Sequence, residues 1–342
     1  MMPTPTVYEE KVIQPIRVFT QIPLSIEVTS WGELTTLGPI VTALNAKIPD
    51  CQEKNCGFNK GFFASMNYPT IFDYEWWIDA ATAGNWSKAE FDDGKILTAS
   101  LIYSCYRVHG INVVGMPHLA RVMQPTIRFY SVEARRNLSH IVRGIQGVAE
   151  QFPSFGKFVY TLPPDSNLEL AFQLAGYTVT TDFTFRSSLD PSYDPWITMD
   201  QKVRYNIKSA YKRLQVIEHH DIERYINLSK SFIHSRALND PTNYGALRRI
   251  LNVSIARCKA TILSAVDTMG DDVASAAVLM DDKYLYYWMN CRSPASNDGS
   301  ANSLLIWTAM QRAKAMGLIF DIDGYSKNEY GALFVSIRLT CE

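Results

Sequence analysis

The order of apolar and polar positions predicts alternating strands and helices in the first half of the chain. Residues 74–83 are aromatic with helical spacing, and residues 95–103 are rich in residues typical of strands. A helical pattern at 132–148 is followed by strand patterns at 157–162 and 177–185. This alternation predicts an α/β (α+β) fold.

The pattern breaks at the proline-bearing stretch 189–196 and then resumes. Beyond it we predict three helices, an antiparallel meander of three strands joined by tight turns, a polar loop, a helix that ends at Gly317, and a returning strand. In chain order these elements are the helices 200–214, 221–236 and 243–258, the strands 260–267, 273–280 and 284–290, the helix 302–316 and the strand 318–323.

The break defines the predicted domain organisation. We expect a first domain at 61–190 and a second at 191–342, with the turn-rich segment 1–60 packed on the first domain. A chain of 342 residues that is 47% hydrophobic has enough apolar side chains for two cores.

Charge and cysteine content narrow the function classes. Lys and Arg (33) nearly balance Asp and Glu (34), which argues against binding DNA and makes tRNA a less favoured partner. The six cysteines lack zinc-site spacing, and His219, His220 and His234 lack a suitably spaced third ligand, so we predict no metal site. Without a secretory leader or an apolar run of about 18 residues, the chain is expected to be cytoplasmic. Contact with a membrane surface stays open.

The polar loop before the last predicted helix has the chemistry of a phosphate site. Backbone N–H groups and the dipole at a helix start attract anions, and small residues let a diphosphate approach the backbone. An ordinary capped turn between strand and helix is the alternative. The candidate donor-binding residues are Asn297, Gly299, Ser300, Ala301, Asn302 and Ser303.

Several segments together resemble the Fem-like acyltransferases of the GNAT superfamily. Three segments show this resemblance. The first is Gly299-x3-Ser303 with Trp307, Ala309, Ala313, Gly317 and the run Phe320-Asp-Ile-Asp-Gly324. The other two are the basic helix 202–212 and the run Ile71-Phe-Asp-Tyr-Glu-Trp-Trp-Ile-Asp-Ala80. The resemblance implies two GNAT-like folds in tandem, each a mixed, mostly antiparallel sheet flanked by helices. It further implies an acyl donor held by the second fold and an acceptor in the cleft between the two.

Acyl transfer to an amine needs a group that takes a proton from nitrogen, and positioning supplies much of the rate. We favour Asp321 or Asp323 as this base, with Glu329 in reserve. A solvated carboxylate or a loop cap is the alternative for each.

Other residues are candidates for binding the acceptor. Tyr286 and Trp288 share one face of a predicted strand and Tyr287 the other, and Trp77 is a further candidate lining residue. Core packing is the competing interpretation for these aromatic residues. Arg204 and Lys208 lie one helical turn apart and suit an anionic acceptor, although a solvated basic face would look the same.

These observations leave three functions open. The first is transfer of an acyl group from acyl-CoA, as co-substrate rather than resident cofactor, to an amine of a cell-envelope sugar, a nucleotide sugar, a lipid-linked saccharide or a secondary metabolite. The second is the aminoacyl-tRNA-dependent reaction of the Fem branch on a peptidoglycan precursor. The third is a non-catalytic binding protein, because Val335 occupies a position where the family commonly has Lys or Arg, with Arg338 the nearest replacement.

Overall fold

Two mixed β-sheets organise the chain in the computed structural model, which describes residues 24–29, 69–181, 184–187, 194–236, 240, 242–296 and 298–322. The predictions made for Asn297, Asp323, Glu329, Val335 and Arg338 lie outside these residues.

The first sheet has seven strands. They are β1 (Leu24–Thr29), β2 (Ser87–Asp92), β3 (Leu97–Val108), β4 (Ile111–Gly115), β5 (Thr126–Phe129), β6 (Lys157–Leu162) and β7 (Thr178–Thr181). Their order is β2–β3–β4–β6–β1–β7, and β5 pairs with the first part of β3. Only β4 and β6 run parallel among the described pairs of this sheet.

The N-terminal segment contributes to this sheet directly. Sequence patterns predicted that residues 1–60 pack on the first domain, whereas β1 lies inside the sheet and pairs with both β6 and β7. Strand β1 therefore supplies backbone hydrogen bonds on both sides, and the sheet is incomplete without it.

The helices of the first half are α1 (Glu75–Thr82), α2 (Val132–Arg135), α3 (Leu138–Ala149) and α4 (Glu169–Leu174). Helix α3 packs closely on β2 and β3 because glycines face the sheet. A Cβ atom on Gly147 would lie 2.2 Å from the ring of Phe91. At its start, the Asn137 side chain accepts a hydrogen bond from the Ser139 N–H (3.0 Å), which caps the helix.

The second sheet has six strands. They are β8 (Arg186–Ser187), β9 (Gln215–His219), β10 (Ala260–Val266), β11 (Asp272–Met280), β12 (Tyr284–Arg292) and β13 (Ile319–Asp321), in the order β8–β13–β12–β11–β10–β9. The predicted antiparallel meander of β10, β11 and β12 is confirmed. Strands β12 and β13 are parallel. Strand β8 joins this sheet, so the chain enters it just before the predicted boundary at 190/191.

The helices of the second half are α5 (Pro195–Thr198), α6 (Gln201–Tyr211), α7 (Ile222–Ser235), α8 (Tyr244–Ala256) and α9 (Ser300–Met316). Helices α6 and α9 share one apolar core with one face of the sheet. The opposite face and helices α7 and α8 join the first half in a single continuous core. The predicted α/β (α+β) class, with two mixed, mostly antiparallel sheets flanked by helices, is confirmed.

Candidate active site

Strands β12 and β13 part after a short parallel contact. Their pairing covers Tyr284 to Tyr286 and Ile319 to Asp321, whereas β12 continues to Arg292 and pairs there with β11. Within the described part of the chain, no strand pairs with this second half of β12 on the β13 side. The sheet therefore divides at the carboxyl ends of its parallel strands, where open α/β sheets commonly bind ligands.

A β-bulge lies at this division. Ala277 pairs with Met289 and Val278 with Tyr287, so Trp288 is the extra residue of β12. A bulge interrupts the regular ladder and redirects backbone groups, and bulges are frequent next to active sites.

The first half reaches across to the bulge. The Arg121 guanidinium donates to the Trp288 carbonyl (Nη2 to O, 2.8 Å), and the Trp288 indole donates to the Leu119 carbonyl (3.2 Å). From within the second half, the Tyr225 hydroxyl donates to the Met289 carbonyl (3.1 Å). Two side chains, those of Arg121 and Tyr225, thus bind the backbone where β12 leaves its regular path, and the Trp288 side chain binds the first half in return.

Leu119 is strained in this contact. Its φ of 68° places a bulky residue in the left-handed region, which ordinarily requires glycine or asparagine. The hydrogen bond from Trp288 binds the carbonyl of this strained residue. The surrounding packing thus holds the loop of the first half in a conformation that it would rarely adopt alone.

The start of α9 lies beside the same division. Gly299 occupies the N-cap position without a side-chain cap, is exposed, and has open space where a Cβ would stand. The Asp298 carboxylate accepts the Ser300 N–H (3.0 Å) and the Ser300 hydroxyl. Arg213, at the end of α6, donates to the Ser300 hydroxyl (3.1 Å) and pairs with Asp298 (3.0 Å).

The predicted donor residues differ in accessibility. Helix α9 begins two residues earlier than predicted, so Ser300 and Ala301 lie in its first turn and are buried. The Asn302 side chain accepts a hydrogen bond from the Tyr287 hydroxyl (2.8 Å), and Ser303 is half-buried. Of the described donor candidates, Gly299 is the exposed one, and the donor-binding role of the whole set stays a prediction.

Asp321 is a buried ion-pair partner. Its carboxylate lies 2.7 Å from the Arg186 guanidinium and accepts a hydrogen bond from the Thr184 hydroxyl (2.7 Å). Burial opposes the charge of Arg186, but the attraction of Asp321 outweighs it and raises the pKa of the guanidinium. Both partners already engage the carboxylate of Asp321, and its catalytic role stays a prediction.

The predicted acceptor aromatics are buried between the halves. The predicted alternation is confirmed, because Tyr286 and Trp288 belong to the core shared with the first half and Tyr287 to the other core. Trp77 is fully buried in the shared core, and its indole N–H has no hydrogen-bond partner among the described residues. Contact of these rings with an acceptor would require the packing to open, so their binding role stays a prediction.

The two predicted cations of α6 make local contacts. The Arg204 guanidinium donates to the carbonyls of Trp196 (3.1 Å) and Ile197 (3.0 Å) in α5. The Lys208 ammonium lies 5.7 Å from the centre of the Trp196 ring. Both remain on the outer side of the second sheet, and their predicted role as an acceptor clamp is not tested by these contacts.

Sequence patterns missed a pair of acids at the junction of the halves. Asp281, after β11, accepts hydrogen bonds from the Ile71 N–H (3.1 Å) and the Tyr286 hydroxyl (2.9 Å). Asp73 accepts bonds from Thr70 and from the Gln124 N–H (2.9 Å). Burial raises the pKa of Asp73 to about 6 against the effect of these bonds, and the charge of Asp281 adds to the rise.

Metal and membrane features were also sought. In the ranges that the structure describes, no three His, Cys, Asp or Glu side chains come together as metal ligands. None of the helices described is long and apolar enough to cross a bilayer.

We compared the fold of the chain with those of solved structures. The chain resembles the crystal structure of FemX with a TM-score of 0.54 at 10% identity, over 78% of this chain and 88% of that one. The C-terminal domain (DUF2156) of a putative lysylphosphatidylglycerol synthetase from Agrobacterium fabrum follows at TM-score 0.44 and 12% identity (75% and 83% covered). A tandem GNAT protein from the clavulanic acid biosynthesis pathway matches at TM-score 0.35 and 11% identity (79% and 93% covered). The likeness to FemX shows that the two chains share a fold.

A match to a protein-family model concerns the second half of the chain. Residues 201–330 match the acetyltransferase (GNAT) domain model, which covers most of the second half of the chain. A search of curated proteins found no match to the chain.

Proposed function

We propose that the protein is an N-acyltransferase that moves an acyl group from acyl-CoA to an amine of a cell-envelope sugar, a nucleotide sugar or a secondary-metabolite intermediate. The observation that carries this proposal is the start of α9, where Gly299 at the N-cap position has no capping side chain of its own, beside the division of β12 and β13 and inside the GNAT match.

The start of α9 suits the diphosphate of CoA. Gly299 leaves room beside the backbone, and the residues after it, Ser300 to Ser303, are small. The helix dipole and the backbone N–H groups favour an anion at this position. Arg213 adds a positive charge next to Ser300 and is half-exposed, so a phosphate group could share it with Asp298.

The division of the sheet suits the acyl end of the donor. A pantetheine arm lying along β12 would bring the thioester to the bulge at Trp288, where the ladder is interrupted. Backbone N–H groups released by a bulge can stabilise the negative charge that develops on the thioester oxygen. The first half approaches here through Arg121, which supports an acceptor entering from that side.

The reaction needs no covalent intermediate on the protein. The acceptor nitrogen attacks the thioester carbonyl carbon, the carbon–sulfur bond breaks, and the CoA sulfur leaves as thiolate while a base takes the proton from nitrogen. Because Asp321 is already bound by Arg186 and Thr184, we place this base on Asp323 or Glu329 before Asp321. For an anionic acceptor, we retain Arg204 and Lys208 as the proposed cations, with Trp77, Tyr286 and Trp288 as proposed lining residues.

Ligand-induced thermal stabilisation tests the proposal. Acetyl-CoA and longer acyl-CoAs should raise the melting temperature with concentration, since a ligand that binds only the folded state stabilises it. Adenine nucleotides without the pantetheine arm serve as controls. Gly299→Glu places a negative charge where the diphosphate is proposed, and should weaken CoA binding at least about tenfold.

The matched control is Gln151→Glu, which makes the same charge change on an exposed residue of the first half. It should leave CoA binding unchanged. Absence of any stabilisation by saturating CoA thioesters would overturn the acyl-CoA proposal. Stabilisation by aminoacyl-tRNA instead would support the alternative donor of the Fem branch.

A further inference from the structure

Helix α6 carries a strongly basic outer face. Its buried positions Val203, Ile207 and Ala210 pack toward α9 and the second sheet. No Asp or Glu occurs between residues 201 and 217, whereas this stretch contains five cations. These are Lys202, Arg204, Lys208, Lys212 and Arg213. Since the whole chain has a net charge of −1, the positive charge is a local property of this helix.

Apolar and aromatic side chains accompany these cations in solvent. Ile197 in α5 is 72% exposed, and Tyr205 and Tyr211 in α6 are 70% and 56% exposed. Large apolar side chains are seldom so exposed, and a group of them beside cations marks an interaction surface. We call this surface the basic–aromatic face. Tyr205, Lys208 and Lys212 form its centre, Lys202 and Tyr211 lie on its two flanks, and Ile197 of α5 completes it.

The lysines of the basic–aromatic face are available to a partner. Across the described residues, Lys202, Lys208 and Lys212 form no ion pair with an acidic side chain. Tyr205, Lys208 and Lys212 follow one another at spacings of three and four residues, so they lie along one line of the helix. A flat anionic surface could therefore contact Tyr205, Lys208 and Lys212 at the same time.

We infer that the basic–aromatic face docks the protein on an anionic lipid bilayer. The apolar side of α6 is buried in the protein, so the contact would be made by its exposed side, where cations meet lipid phosphates and the exposed Ile197, Tyr205 and Tyr211 reach the acyl boundary. Lysine stems can lie along the apolar boundary while their ammonium groups meet lipid phosphates. Ile197 has no evident use on a nucleic-acid backbone, and a near-neutral protein lacks the broad positive field of nucleic-acid binders.

The position of this face links it to the second sheet. Arg213, just beyond the end of α6, contacts Ser300 at the start of α9. A bilayer bound to the basic–aromatic face would therefore lie near the candidate donor site. The docking surface does not depend on the transferase proposal, because it rests on charge and exposure alone.

Sedimentation with lipid vesicles tests the inference on the full chain. Vesicles of phosphatidylcholine with about one-third phosphatidylglycerol should retain the protein at least about tenfold more tightly than phosphatidylcholine alone, and salt should weaken this retention. The triple variant Lys202→Glu/Lys208→Glu/Lys212→Glu should lose that preference. The control Lys88→Glu/Lys95→Glu/Lys230→Glu changes the charge equally on other exposed positions and should keep it.

A second variant keeps every charge. Ile197→Ser/Tyr205→Ser should weaken binding to the anionic vesicles several-fold, because fewer apolar groups enter the bilayer. Circular dichroism and melting temperatures confirm that each variant is folded. The inference is overturned if the wild-type protein ignores anionic vesicles at low salt, if the α6 triple variant binds like its control, or if RNA binds this face while the vesicles do not.

Discussion

Among the described strands, each half of the molecule has one parallel pair joined through a helix, and the two pairs end differently. In the first half, β4 ends at Gly115, and the Met123 N–H bonds to the Thr161 carbonyl (2.9 Å) beside the continuing β6. In the second half, β12 continues past its partner into a bulge. The same arrangement is thus closed in one half and divided in the other.

The helices that connect the strands of each parallel pair also differ. These helices are α3, between β4 and β6, and α9, between β12 and β13. Helix α3 begins with a capping side chain, Asn137, and lies tightly on its sheet through Gly144 and Gly147. Helix α9 begins at Gly299 without such a cap and with open space beside the backbone. Two halves with a similar fold therefore need not both contain a binding site. What distinguishes them is how their strands end and how their helices begin.

The largest expected effect is at the carboxyl end of β13. In the first half, the second strand of the parallel pair, β6, ends with the fully buried Leu162. In the second half, β13 ends with Asp321, which pairs with the buried Arg186 of β8. Asp321→Asn should lower the free energy of unfolding by about 3–5 kcal/mol, because it removes the carboxylate that pairs with the buried Arg186 guanidinium. Urea unfolding measures this loss.

The double variant Asp321→Leu/Arg186→Met is the control, since replacing both charges by apolar groups is often nearly neutral. An Asp321→Asn protein as stable as the wild type would show that the second half does not depend on this ion pair.

A pH effect of intermediate size is expected from Asp73, where the halves meet. Its pKa is about 6 in the folded protein against a reference value of 3.8, so between these pH values the folded state holds more protons than the unfolded chain. The free energy of unfolding should therefore fall as the pH rises from about 4 to 6. This group contributes up to about 3 kcal/mol to that change.

Urea unfolding at a series of pH values measures this contribution. Asp73→Asn should flatten the pH dependence in this range, because the titrating group is gone. An unchanged slope in the variant would assign the dependence to other carboxyl groups.

The smallest expected effects come from a pair of glycines, one in each connection. Gly147→Ala should destabilise the protein by about 1–3 kcal/mol, because its Cβ would lie 2.2 Å from the Phe91 ring. Gly299→Ala should change stability by less than about 0.5 kcal/mol, since its φ is −65° and its Cβ would meet no atom within 4 Å.

Thermal unfolding of the two variants under one set of conditions makes this comparison. Equal losses of stability would show that α9 is packed at its start as tightly as α3, which would contradict the contrast between the two connections.

Sequence patterns were most informative where structure is local. The strands β10, β11 and β12 follow from three successive strand patterns separated by turn residues, and the carboxylates of Asp267 and Asp281 bond to the backbone of these turns. The alternation of Tyr286, Tyr287 and Trp288 between two cores follows from strand geometry alone.

Patterns failed where a role depends on residues distant in the chain. Nothing in the local sequence of β1 indicates its partners in β6 and β7, and nothing near Asp321 indicates Arg186. Arg121 reaches β12 because a strained loop carries it across the junction. Helix α9 starts before its predicted first residue because Asp298 binds the Ser300 N–H, a contact that periodicity does not reveal.

The interior position of β1 also has a consequence for biosynthesis. This strand leaves the ribosome well before either of its neighbours, β6 and β7, has been synthesised. At roughly 5–20 residues per second, β1 waits unpaired for roughly ten seconds or more. The first sheet can close only after β7 has emerged, so its N-terminal segment is exposed to chaperones and to aggregation throughout that interval.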